Sequence, residues 1–223
     1  MWQGLSYFIF ALSYVVINSL FAYYFQYVLG RTDKFYMVGI ITTVLGIISV
    51  VLFPSIELAV KRRAIYVGGI CLMLIGYVTF LLAGSNLLLV YIAVGVFFFP
   101  YPMIFLAALM TITDSVEYGQ WKNGTRNKSV TLSVRPLIDK LAGALANGMV
   151  ILAAVNSGMV GKAKPSNIHP DQLLKFKGFM FFAPMILLVL AAFIYLAKVK
   201  LTEKKRQEIV NELQAKLSAE QNN

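Results

Sequence analysis

Long apolar runs without a single charge alternate along this chain with short charged intervals. Residues 1–30, 35–56, 64–113, 141–161 and 178–197 contain no Asp, Glu, Lys or Arg. A helix needs about 20 apolar residues to cross a ~30 Å hydrocarbon layer, and a helix satisfies its own backbone polar groups there without water. Each run is long enough for one crossing, and 64–113 is long enough for two. Its break falls at Ala83-Gly84-Ser85-Asn86, a series of turn-forming residues. The pattern predicts an all-α membrane protein of six transmembrane helices, at roughly 4–29, 35–56, 64–83, 86–113, 131–157 and 178–197. Residues 1–197 then form a six-helix bundle and 198–223 a cytoplasmic amphipathic tail.

Composition strengthens this reading. Charged residues make up 13% of the chain, about half the ~25% of soluble domains, too little to cover a water-soluble globule. The net charge of +10 has a topological cause and needs no nucleic acid. With the N-terminus inside, only Arg31, Lys34, Lys162, Lys164, Lys175 and Lys177 of the 20 Lys and Arg fall outside. The positive-inside rule therefore puts both termini in the cytoplasm, as expected of an integral protein of a cytoplasmic membrane.

Two features depart from plain spans. Pro100 and Pro102 sit inside the fourth, where each removes an amide donor and frees a carbonyl, on Val96 and Phe98. Such groups must face protein or a wet cavity, so the site is either a packing kink or a hinge. In the tail, Thr202 suits an N-cap and Ile209, Val210, Leu213 and Leu217 share one helical face. Such a helix lies on the membrane or the bundle, or connects to a further domain.

Polar groups inside the spans are the candidate chemistry. Lys140 lies about five residues, ~7.5 Å, deeper than Arg135 in the fifth span. It either faces a cavity or a carboxylate or snorkels back to the interface. Ser133, Lys140, Gly143 and Asn147 run along one side of that span beside small residues that permit close helix contact. In the first span Tyr14 and Asn18 are one turn apart; amides and phenols bond hydroxyls, and ring faces suit the apolar faces of sugars. Enzyme chemistry has no visible residues: there is no Cys/His cluster, no phosphate loop and no hydrolytic triad. None of the ten acidic residues falls in a charge-free run. Asp139, beside Lys140, is the nearest to the membrane, and it is placed to pair with Arg135 at i,i+4.

Two stretches carry a resemblance. Tyr23-Tyr24-Phe25-Gln26-Tyr27-Val28-Leu29-Gly30, and more specifically Asp114-Ser115-Val116-Glu117-Tyr118-Gly119-Gln120-Trp121-Lys122-Asn123-Gly124-Thr125-Arg126, resemble the glycoside-pentoside-hexuronide cation symporters of the major facilitator superfamily. The resemblance covers nearly the whole chain but only the second six-helix half of that twelve-helix fold. It implies a half of a sugar or glycoside symporter coupled to H+ or Na+. No other cofactor is implied, and the cation-binding carboxylates are expected mainly in an N-terminal half that acts as partner. Lys140 matches the family's lysine in the eleventh helix, near sugar and cation, and Phe105 an aromatic position of the sugar pocket in the tenth. Asp114, Glu117, Tyr118, Gly119, Trp121 and Arg126 match the inner loop motif, whose charges form either a cytoplasmic gate or a solvated loop. Lys61, Arg62 and Arg63, with Glu57 before them, stand where the superfamily carries a basic motif, here degraded. Arg135-Pro136 replaces the Gln-Thr of melibiose-type members, which puts the sugar's identity in question. Beside the half-carrier, a non-transporting membrane subunit and a nonfunctional remnant fit the same residues.

Overall fold

The computed structural model describes residues 2–123, 128–161, 163, 165, 168–199 and 207–212. Among them every regular element is helical: α1 (Trp2–Tyr23), α2 (Tyr36–Ala59), α3 (Arg62–Ala83), α4 (Leu87–Phe98), α5 (Tyr101–Asn123), α6 (Lys128–Asn156), α7 (Pro170–Lys177) and α8 (Ala183–Lys198). Single π turns extend α1 over Tyr24–Val28 and join α7 to α8 over Gly178–Phe182. Six stretches are long and apolar enough to cross a membrane: Trp2–Val28, Thr32–Ala59, Arg62–Ala83, Leu87–Trp121, Ser133–Asn156 and Pro170–Lys198.

The turns follow local chemistry. Gly84 takes φ 52°, a conformation open to a residue without Cβ. Asn86 then caps α4, its side-chain oxygen accepting from the Leu88 and Leu89 amides at 3.1 and 3.3 Å. The fourth crossing is broken at Phe99-Pro100 into α4 and α5. Its fit against α3 depends on two glycines: a Cβ on Gly76 would lie 2.9 Å from the Phe97 Cβ and 3.0 Å from its backbone, and one on Gly69 would meet Ile104 at 2.5 Å.

Two charged intervals are more ordered than their polarity suggests. α5 runs on through Asp114 to Asn123, because its last turns keep a packed face: Val116 is buried, and Asp114 is buried with a partner on α3. The connection between α6 and α8 contains α7, started by a capping box in which the His169 amide donates to Gln172 Oε1 at 2.9 Å, and anchored by buried Phe176. In the tail, 207–212 is helical with Ile209 buried; Thr202, Leu213 and Leu217 lie outside the described residues.

α1 lies at the centre, packed on α8 and α6 and touching α5, while α3 packs on α4, α5 and α8. Burial is uneven: half of the apolar window of the first crossing is buried, against 11% for the α2 crossing and 28% for the α6 crossing. The exposed residues of these two helices include Ile40, Val44, Ile47 and Val51 on α2 and Leu141, Leu145 and Leu152 on α6.

Candidate functional site

The site is built from three short i,i+4 patterns on three helices. Along α1, Tyr7, Ala11 and Tyr14 recur at four and three residues and so share a face. On α5 the pair is Tyr101 and Phe105; on α6 it is Arg135 and Asp139. Together with Phe10 they line a cavity of ≈ 180 Å³. The helix break places Tyr101 at the start of α5, where its ring stacks on Tyr14 with centroids 3.7 Å apart and planes 7° apart. Complete small-molecule pockets usually span ~300–1,000 Å³, so this cavity is smaller than most.

The polar end of that cavity is a connected set. Tyr7 donates its hydroxyl to Asp139 Oδ1 at 2.9 Å. Asp139 Oδ2 lies 3.5 Å from Arg135 Nε, across one helical turn. The Arg135 guanidinium sits 4.4 Å over the Phe105 ring, a cation–π contact. Arg135 Nε is buried without a hydrogen-bond partner among the described residues. Aromatic faces beside a donor–acceptor pair can hold a polyhydroxylated ring, with apolar C–H faces on the rings and hydroxyls on the charges.

A second groove, of ≈ 520 Å³, lies on the other side of the Tyr14–Tyr101 pair, with Thr42, Thr43 and Gly46 of α2 on its far wall. The stacked pair thus stands between α2 and α6, the two least buried crossings.

At one end of the bundle a separate ion cluster ties three helices. Arg62, at the start of α3, donates from Nη1 to Asp114 Oδ2 of α5 at 2.6 Å and from Nε to Glu57 Oε1 of α2 at 2.8 Å. Arg62 and Asp114 side chains are each 11% exposed, so the charges are compensated largely out of solvent. On the same helix end Tyr118 and Trp121 rings lie 5.9 Å apart, and the Trp121 indole donates to Glu212 Oε2 of the tail at 2.6 Å.

Of the residues singled out from the sequence, the structure brings Tyr14 and Phe105 into the cavity. Lys140, Asn147 and Asn18 are exposed and stand outside its described lining. Asp114 is buried, Glu117, Tyr118 and Gly119 are half-buried, and Arg126 lies outside the described residues. Sequence reasoning passed over Tyr7 and Tyr101 and gave Arg135 and Asp139 no place in the cavity. The signals were there, in the seven-residue step from Tyr7 to Tyr14 and in the Arg135–Asp139 spacing. Arg62 belongs to an ion cluster as well as to the basic run at the start of α3. No group of three or more His, Cys, Asp or Glu placed to hold a metal ion occurs among the described residues.

Comparison with known proteins gives a consistent result. Residues 1–203 match the model of a family described as MFS/sugar transport protein. The chain is 44% identical over 214 residues to the raffinose carrier protein of Pediococcus pentosaceus, covering 96% of this chain and 33% of that protein. It is 37% identical over 219 residues to the lactose permease of Leuconostoc lactis, covering 98% of this chain and 34% of the relative. The lactose permease of Lactobacillus delbrueckii subsp. bulgaricus is 40% identical over 214 residues, with 96% and 34% covered. The chain therefore spans about a third of the length of these curated relatives.

Proposed function

We propose that this chain, which belongs to the MFS/sugar transport protein family, forms the C-terminal six-helix half of a cation-coupled sugar symporter that works by alternating access. The observation that carries this reading is the open wall. An aromatic pair and a charged pair face a cavity below the usual size of a small-molecule pocket, and the helices on either side of it, α2 and α6, are the least buried of the six. A second six-helix half set against α2 and α6 would close the site near the midplane, and rocking of the halves would open it to each side in turn. Relatives named for lactose and raffinose support an oligosaccharide containing a galactose unit as the substrate.

The coupling ion, H+ or Na+, is bound mainly by carboxylates of the other half. Asp139 is the acidic residue of this chain in the described cavity lining, and both of its oxygens already face partners, Tyr7 and Arg135. Both termini lie in the cytoplasm. The α2–α3 turn, the end of α5 and the tail segment share one face through Arg62–Asp114 and Trp121–Glu212, as expected if that basic face is the inner one. There the Arg62 cluster acts as a cytoplasmic tie that loosens when the inner gate opens.

Uptake of labelled raffinose or lactose by cells co-expressing this chain with the N-terminal half of the Pediococcus raffinose carrier tests the reading. Uptake driven by a cation gradient, with no uptake from either half alone, is the expected result. Full coupled uptake by this chain alone, or none from the pair with both halves in the membrane, would contradict it.

A further inference from the structure

Building on the sugar-carrier reading, we propose that the Asp139–Arg135 pair is a charge filter, which makes this wall accept uncharged sugars and reject anionic ones. Arg135 brings a permanent positive charge to an aromatic cavity within the membrane-spanning part of α6. A bare guanidinium in such a place is a ready site for carboxylate, sulfonate or phosphate, which it binds in its planar fork. Asp139 removes that attraction by filling the anion's place itself: its Oδ2 faces Arg135 Nε at 3.5 Å and its Oδ1 is held by the Tyr7 hydroxyl at 2.9 Å.

Among the described residues of the lining no other charge shifts the balance. α1 and α5 contribute the uncharged phenols Tyr7, Tyr14 and Tyr101 and the rings Phe10 and Phe105. Lys140 follows Asp139 on α6 but is turned about 100° around the helix and stands outside the described lining. The described lining therefore carries one cation and one anion. Arg135 and Asp139 side chains are 34% and 38% exposed, so a ligand can reach both. A neutral pyranose hydroxyl bridges the pair without disturbing its charge, accepting from the Arg135 guanidinium while donating to Asp139. A sugar carboxylate would compete with Asp139 for the same guanidinium and leave one carboxylate uncompensated, which is costly away from water.

Saturation-transfer NMR on the full chain in lipid nanodiscs tests this, with methyl α-D-galactopyranoside as neutral probe and D-galacturonate as anionic probe. The parent chain is expected to prefer the neutral probe by about tenfold or more. Asp139→Asn is expected to reverse the order by a similar factor, because it bares Arg135. The double variant Arg135→Gln with Asp139→Asn restores a neutral wall and is expected to lose the galacturonate binding that Asp139→Asn gains. Tyr7→Phe keeps the charge pair and is expected to keep the parent's preference. A shift equal to that of Asp139→Asn would assign the effect to packing and overturn the proposal. Equal binding of both probes by the parent, binding of neither, or an unchanged preference in Asp139→Asn would also overturn it.

Uptake by the paired halves separates this from the carrier reading. If Asp139→Asn leaves neutral uptake and galacturonate exclusion as in the parent, the filter is wrong and the carrier stands. If the parent pair moves no neutral sugar, the carrier reading itself fails.

Discussion

The two flanks of this bundle are finished to different degrees. Where α1 meets α3 and α8, several buried polar side chains find partners inside the chain. Ser6 Oγ bonds the Tyr66 hydroxyl at 2.9 Å and the Ala191 carbonyl at 2.8 Å, Ser13 donates to the Pro184 carbonyl at 2.8 Å, and Tyr66 stacks on Tyr195 at 4.2 Å. On α2 and α6, Ser49, Ala142 and Ala146 are buried, but a Cβ on Gly39, Gly46, Gly143 or Gly148 would have no atom within 4 Å outside its own helix. In lipid, small residues are favoured where another helix comes close. The contrast teaches that the first flank is the more closely packed of the two, whereas the second leaves glycines open, as the proposed second half would require.

The largest expected effect comes from cutting the tie between the flanks. Arg62→Ala removes the cation that holds Glu57 of α2 and Asp114 of α5 and takes a buried ion pair apart from one side, at a cost of roughly 3–5 kcal/mol. A fall in the unfolding midpoint in mild detergent would register it, and an unchanged midpoint would show the cluster to be ornamental. Next is Gly76→Ala on the finished flank, where the new methyl meets the Phe97 backbone at 3.0 Å; overpacking of this kind costs about 2–3 kcal/mol and is read by the same melt. Ser6→Ala strands the hydroxyl of fully buried Tyr66 and should cost about 1–2 kcal/mol, while Ser6→Thr, which keeps the hydroxyl, should cost less. Smallest is Gly143→Ala on the open flank, with a change in the melt of the isolated chain within about 0.5 kcal/mol. The same substitution should weaken capture of a co-expressed N-terminal half, and equal capture by variant and parent would erase the distinction between the flanks.

Much of the fold was legible because charge is so costly in a bilayer that its absence marks each crossing. The turn at Ala83–Asn86 and the break near Pro100 follow from residues that cannot continue a helix. The continuation of α5 to Asn123 was not legible, since it depends on a partner for Asp114 that lies 52 residues away at Arg62. The candidate site was legible in part. Tyr14 and Phe105 stand out as aromatics in apolar spans. Lys140 drew attention as a lysine inside one, yet it is Asp139, one residue and about 100° of helix away, that faces the described cavity. On a helix as little buried as α6, the pattern of apolar residues does not tell which face meets the site; the Tyr7 hydroxyl decides it, and it belongs to another helix, 132 residues away.

Chemical labelling of the open flank tests the central claim most directly. In a Cys71→Ser background, a single cysteine at Gly143 and, separately, one at Ile186 on the exposed face of α8 would be labelled with N-ethylmaleimide in membranes, with and without a co-expressed N-terminal half. An unfinished wall that receives a second half predicts that labelling at position 143 slows about tenfold or more when that half is present, while labelling at 186 does not change. Equal rates at 143 with and without the second half, in membranes where both halves are present, would contradict it.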